Sequence, residues 1–289
     1  MSAMASLIVL LRALKLPSFA RHAEEVAQTA TSEGWTFPQY LQHLAELEIA
    51  ERRIRRIERL QAQSDLPKEK TLATLDRTRL SPKLQKLLPT LCEGGFVERG
   101  ENLLAFGLPG RGKTHVVCAI AHELIQRGYR VLFVATYALV QRLLAAKRDL
   151  RLEAELATLD AFDAVLIDDL GYVQQSRDEM EVLFTFLAER YERKSVLITS
   201  NLVFSEWDRI FKDPMTTAAA IDRLIHHAVI LEMTGGSVRT EAAKRRGDPT
   251  TTTPTTTTPT TTTPTTTTPT TTTPTTTTSS TITPATTTP

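Results

Sequence analysis

Between residues 100 and 235 the chain alternates two kinds of apolar segment. The short kind is apolar at every position: Leu103-Leu104-Ala105-Phe106, Val131-Leu132-Phe133-Val134, Ala164-Val165-Leu166-Ile167 and Val196-Leu197-Ile198. Runs of this length without alternation suit strands buried on both faces of a parallel sheet. Ala228 to Leu231 reads as a fifth. Between them fall amphipathic stretches with helical spacing, Lys113 to Arg127, Tyr137 to Lys147, Asp178 to Arg193 and Thr217 to His227. Strand–helix alternation of this kind predicts a doubly wound α/β domain, a parallel sheet flanked by helices.

Upstream the period changes. Leu41, Leu44, Leu47, Ile54, Ile57 and Leu60 recur at three- or four-residue intervals or their multiples, with charges between them, so the region to about Leu80 reads as helices. Gly34, Trp35 and Pro38 mark a break between two of them, and Ser64 to Lys70, containing Pro67, reads as a linker or turn. Downstream, prolines at 249, 254, 259, 264, 269 and 274 punctuate runs of threonine. Such a segment has almost nothing apolar to bury and is expected to be disordered and extended, in keeping with a tandem-repeat expansion. The expected organisation is a helical domain over 1–80, an α/β domain over 81–247 and a disordered Thr/Pro tail over 248–289.

Composition narrows this only a little. Lys+Arg number 34 against Asp+Glu 33, so a nucleic-acid partner would have to be met by a local patch. Cys92 and Cys118 lack metal-ligand spacing, and Cys118 sits among apolar residues as a buried free thiol would. Leu7 to Leu11 is too short for a membrane span, which needs roughly 20 apolar residues, and no cleavage-site pattern follows it. A soluble, cytoplasmic protein without a membrane partner is the expectation.

The chemistry begins at Gly107-Leu108-Pro109-Gly110-Arg111-Gly112-Lys113-Thr114, a complete G-x-x-x-x-G-K-[ST] loop between an apolar strand and an amphipathic helix. Glycines let successive backbone N–H groups turn inward around phosphates, and the helix N-terminus adds its dipole. Lys113 is then the charge for the β- and γ-phosphates and Thr114 a ligand of Mg²⁺, which makes ATP with magnesium the expected ligand. About fifty residues on, the run Ala164 to Ile167 ends in Asp168-Asp169. A carboxylate at the C-terminal edge of a strand neighbouring the P-loop strand can hold the metal's shell, the role expected of Asp168, leaving Asp169 to polarise an attacking water. Asn201, at the end of Ile198-Thr199-Ser200, could hydrogen-bond that water or the γ-phosphate from a strand inserted between the other two, or could simply start a turn. Arg223, on the helix before the last strand, is either an arginine finger reaching a neighbouring subunit's site or a surface partner of Asp222. His115, His226 and His227 have no acidic or cysteine partner at ligand spacing and read as ordinary histidines.

These elements and their spacing resemble the AAA+ ATPases. More narrowly, Gly112-Lys113-Thr114-His115, Asp168-Asp169-Leu170-Gly171-Tyr172, Ile198 to Asn201 and Phe204-Ser205-Glu206-Trp207 resemble the IstB branch, as do Asp222-Arg223-Leu224-Ile225-His226-His227 and Gly236-Ser237-Val238-Arg239. Members of that branch are ATP-binding helpers of insertion-sequence transposases and relatives of the DnaC helicase loaders. The resemblance covers about residues 10–245 and implies nucleotide binding at Gly107–Thr114, the acidic pair at Asp168 and Asp169, a sensor at Asn201, an arginine finger at Arg223 and a further phosphate contact at Arg239. The chain departs from the family pattern in having Asp169 where Glu is common, Arg111 in place of a small residue, Val238 where Tyr is common, and the Thr/Pro tail.

In Glu51-Arg52-Arg53-Ile54-Arg55-Arg56-Ile57-Glu58-Arg59, the residues Arg52, Arg55, Arg56 and Arg59 line one helical face. They are candidates for sequence-independent contact with duplex DNA phosphates, against the alternative of a solvated face balanced by Glu48, Glu51 and Glu58. The functional expectation is a DNA-dependent ATPase that oligomerises on duplex DNA and presents target to a transposase or integrase. A DnaC-like helicase loader, a small-molecule P-loop kinase and an inactive transposon remnant are the competing readings.

Overall fold

The computed structural model describes residues 3–171, 176–202, 204–207 and 214–233. The chain separates into residues 1–247 and 248–289, and the Thr/Pro repeat, Tyr172 and Arg239 lie outside the described residues. The first unit opens with α1 (Ala3–Ala13), α2 (Pro17–Glu33) and α3 (Phe37–Ala62), followed by α4 (Pro82–Glu93) and the short α5 (Gly95–Glu98). The alternating part is β1 (Asn102–Phe106), α6 (Lys113–Gln126), β2 (Val131–Ala135), α7 (Thr136–Arg148), α8 (Leu152–Asp160), β3 (Ala164–Leu170), α9 (Arg177–Arg190), β4 (Ser195–Ser200), α10 (Pro214–Ile225) and β5 (Ala228–Glu232).

All five expected strands form, in the order β2-β3-β4-β1-β5 with every pairing parallel. The Asp168 strand therefore does not pair with the P-loop strand; β4 lies between them. β1 and β4 are buried at every position, which is why their sequences show no alternation. One face of the sheet packs against α4 and α6, together with Leu60 of α3 and Leu66 of the linker. The other packs against α7, α8, α9 and α10. At the edge remote from the P-loop, the buried Asn102 side chain donates to Leu224 O and accepts from Val196 N–H, joining β1 to β4 and to the end of α10.

Among the first helices, Gly34 ends α2 in the left-handed conformation, and Thr36 with Gln39 forms a capping box that starts α3. Along α3 the apolar stripe is divided. Leu44 and Leu60 are buried and Ile57 packs against the main core, but Leu41 and Ile54 stay more than half exposed. In their place α3 turns Glu48 toward α2, where the carboxylate is buried and accepts the Ser18 N–H at 2.8 Å. Both cysteines are free and buried, and burial pushes the Cys118 thiol up to about 12. No helix among the described residues is long and apolar enough to cross a membrane.

Candidate nucleotide site

The P-loop leaves β1 through Gly107, whose backbone runs against the exit of β5: a Cβ there would lie 2.6 Å from Met233 O. Gly110 and Gly112 also adopt positive φ, which turns the loop so that α6 starts at Lys113. Lys113 is buried, and its Nζ donates to Gly107 O at 2.7 Å and Leu108 O at 3.1 Å, closing the loop on itself. Arg111 is drawn away from this centre, donating from Nη1 to Met233 O at 3.2 Å.

Asp168 and Asp169 leave β3 in different directions. Asp169 takes φ 58°, a left-handed conformation that acidic side chains tolerate better than most, and the β3–β4 register shifts between Ile167 and Leu170. An irregularity of this type commonly re-aims side chains beside a site. Asp168 Oδ1 receives the Thr114 hydroxyl at 2.8 Å and the Thr199 hydroxyl at 2.6 Å. Thr199 Oγ1 also accepts the Asp169 N–H at 2.9 Å, and Thr136 donates to Asp168 O at 2.8 Å. The Asp169 side chain is exposed at the mouth of a cavity of about 410 Å³ whose lining includes Gly110, Gly112, Lys113, Thr114, Asp168, Asp169 and Asn201. Asn201 Oδ1 is buried and takes no hydrogen bond among the described residues.

The fold thus gathers the P-loop, both aspartates and Asn201 at the carboxyl ends of β1, β3 and β4. Thr199 and Thr136 complete the polar network and were not singled out in the sequence, although Thr199 precedes Asn201 in the polar strand end that drew attention there. Lys70 and His115 also line the cavity. Arg223 is not part of it: the guanidinium stacks over Phe184 at 5.0 Å and donates to Ala219 O at 3.1 Å.

The basic face of α3 is partly consumed within the helical region. Arg52 Nε donates to Glu48 Oε1 at 2.7 Å, and Arg55 reaches Glu48 at 3.3 Å and Glu51 at 3.7 Å. Arg56 donates to Gly128 O at 3.1 Å, fastening α3 to the turn after α6, while Arg59 is exposed. Burial would raise the Glu48 carboxyl, but hydrogen bonds from Arg52 and the Ser18 N–H outweigh it and hold the group below its ordinary value of 4.5. At the opposite edge of the sheet, folding does what sequence spacing had denied to two of the histidines: Glu192, His226 and His227 bring their ligand atoms within 4.8 Å of one another, all exposed to solvent.

A parallel sheet in this order, with a P-loop after β1, an acidic pair on β3 and the polar run Thr199 to Asn201 at the end of the intervening β4, defines an AAA+ P-loop fold. Residues 9–246 match the family of IstB-like ATP binding proteins, and the chain belongs to that family. It is 43% identical over 251 residues to an insertion-sequence ATP-binding protein of Sinorhizobium fredii, covering 85% of this chain and 84% of that one. It is 34% identical over 250 residues to the IS21 ATP-binding protein of Pseudomonas aeruginosa, covering 86% and 94% of the two chains. The crystal structure of DnaI superposes with a TM-score of 0.50 over 59% of this chain and 96% of its own, at 22% identity, a likeness of fold.

Proposed function

We propose that this ATP-binding protein is a magnesium- and DNA-dependent ATPase that oligomerises on duplex DNA and assists an insertion-sequence transposase in capturing its target. The observation that carries the chemical part is the convergence of Thr114 and Thr199 on one oxygen of Asp168, beside Asp169 and an Asn201 Oδ1 that has no partner among the described residues. These residues suit Mg²⁺ with a triphosphate. Hard oxygen donors cluster at a helix N-terminus, and a buried acceptor is left to be satisfied. Thr114 and Asp168 would hold the metal, which supplies charge neutralisation for the phosphates when bound. Lys113, released from the loop carbonyls, binds the β- and γ-phosphates; Asp169 accepts a proton from, or orients, the attacking water; Asn201 fixes that water or the γ-phosphate. Arg223 of one subunit stabilises transition-state charge in the next, and Arg239 adds a phosphate contact.

The transposition context rests on the two relatives, which are named for insertion sequences and match nearly full length. Duplex DNA is met through phosphate contacts, with Arg52, Arg55, Arg56 and Arg59 as contributors. The test combines nucleotide titration with phosphate-release assays on DNA. Lys113→Ala should abolish tight ATP binding, and Asp169→Asn should bind ATP but release no phosphate. A folded Lys113→Ala protein that binds ATP like the wild type would overturn the site, and DNA-independent wild-type turnover would overturn the DNA-dependent part.

A further inference from the structure

The loop between the helical region and α4 does more than join them. Its backbone is pinned along the α6 side of the sheet: Ser64 O accepts from Phe133 N–H at 2.7 Å, and Pro67 O lies 3.0 Å from His122 Nε2. Thr71 O and Thr74 Oγ1 lie 3.2 and 3.1 Å from His115 Nε2. His115 follows Thr114 directly, so the loop is fastened to the first turn of the helix that opens the nucleotide site. Leu66 is buried in the main core and Leu72 and Leu75 pack against it, which fixes the segment as a whole.

Between these anchors the Pro67–Lys70 turn, closed by Lys70 N–H to Pro67 O at 3.2 Å, delivers the Lys70 side chain to the lining of the nucleotide cavity. Its position is intermediate in exposure, and its ammonium has no hydrogen-bond or ion-pair partner among the described residues. This contrasts with Arg52 and Arg55, which are neutralised by carboxylates. An uncommitted ammonium on the lining of a cavity that also holds the P-loop lysine is placed to meet an anion there.

We propose that Lys70 is a second cationic contact for the nucleotide, binding a non-bridging oxygen of the α- or β-phosphate from the Thr114–His115 side, and that nucleotide thereby tightens the 64–75 loop and the helical region attached to it. This rests on the nucleotide-site reading above and adds to it a residue from outside the P-loop domain's own motifs. Because the contact is to phosphates shared by ATP and ADP, Lys70 serves both nucleotides and leaves discrimination of the γ-phosphate to Asn201 and Arg223.

The experiment compares wild type, Lys70→Ala, Lys70→Arg and Lys113→Ala in titrations with fluorescent ATP and ADP analogues, alongside hydrogen exchange of residues 64–75. Lys70→Ala should weaken both nucleotides by about 10- to 100-fold, the scale of a hydrogen bond to a charged group. Lys70→Arg should recover most of the affinity, and nucleotide-free melting should not change. At saturating nucleotide the loop should be protected in wild type and less so in Lys70→Ala. Affinity within twofold of wild type in Lys70→Ala, while Lys113→Ala has lost binding, overturns the Lys70 contact and leaves the site intact. A loss confined to ATP overturns the assignment to shared phosphates. Wild-type affinity in both alanine variants overturns the site itself.

Discussion

Thr199 and Thr114 donate to the same oxygen of Asp168, at 2.6 and 2.8 Å, although one belongs to β4 and the other to the first turn of α6. Thr199 also takes the Asp169 N–H, so one hydroxyl sets the position of the Asp168 carboxylate and of the Asp169 backbone. Replacing a buried hydroxyl that has two partners by a methyl leaves the Asp169 N–H unsatisfied, at a cost of about 1–3 kcal/mol.

Thr199→Val should therefore keep ATP affinity within about twofold, lose roughly tenfold in turnover, the equivalent of about 1.4 kcal/mol in the barrier, and need more magnesium for half-maximal activity. Thr199→Ser, which keeps the hydroxyl, should stay close to wild type. Steady-state kinetics with a magnesium titration reads all three quantities. Unchanged turnover and magnesium dependence in Thr199→Val would reduce the Thr199–Asp168 bond to a packing detail.

Arg223 rests on its own subunit's Phe184, at 5.0 Å, so acting on a neighbour requires it to leave that ring. A partly exposed cation–π contact of about 0.5–2 kcal/mol is small beside the transition-state stabilisation an arginine finger supplies. Arg223→Ala should spare ATP binding and cut hydrolysis by about 10³-fold or more. Mixing it with Asp169→Asn should restore activity, because a mixed assembly contains interfaces that pair an intact Asp169 with an intact Arg223. Mixtures as inactive as the separate variants would rule out action in trans.

How much of this was readable in the chain depends on the range of the interaction. The strands were legible because burial on both faces leaves continuous apolar runs, and the P-loop because its chemistry is carried by eight adjacent residues. The helix α8 went unread even though Leu152, Leu156 and Leu159 have helical spacing, being only nine residues long between a turn and a strand. Long-range relationships left no local trace. Nothing near Ser64 to Lys70 announces that this linker reaches the nucleotide cavity. Periodicity placed Arg52 and Arg55 on one face, but could not tell that α2 crosses there and that Glu48 would be buried beneath them. Phe184 under Arg223 is a contact between helices separated by a strand.

Glu48 gives a pH dependence with a definite sign. Its folded-state carboxyl is held below 4.5 by the Arg52 and Ser18 hydrogen bonds despite burial, so the folded state binds the proton less well than the unfolded chain. The resulting stabilisation is fully present above pH 4.5 and is lost as pH falls through the lowered value. Glu51, also lowered, chiefly by its His22 and Ser18 hydrogen bonds, acts in the same direction. Hydrogen exchange or helix-specific probes of α2 and α3 should show them loosening on acidification below about pH 4.5, and Glu48→Gln should already be loosened at pH 7 and respond less to acid. If the two proteins follow the same acid profile, the buried carboxylate is not the titrating element.

The internal partners of three of the four arginines limit what the α3 face can give to DNA. Free phosphate contacts from Arg52, Arg55, Arg56 and Arg59 would each contribute roughly 0.9 to the slope of log affinity against log salt, or about 3 to 4 together. Arg52 and Arg55 are instead neutralised by Glu48 and Glu51, and Arg56 is committed to Gly128 O. Arg59 remains exposed, and Arg52 keeps a half-exposed guanidinium. A quadruple Arg→Gln variant should accordingly flatten the salt slope by about 1 to 2 rather than by 4, and Arg59→Gln alone by about 1. Loss of affinity from Arg55→Gln should come with loosening of α2 against α3, since its main partner is internal, whereas Arg59→Gln should leave the helices as they are. Binding isotherms on duplex DNA at several salt concentrations, with ATP present, make the measurement. Parallel slopes for the wild type and the quadruple variant would remove this face from the DNA surface altogether.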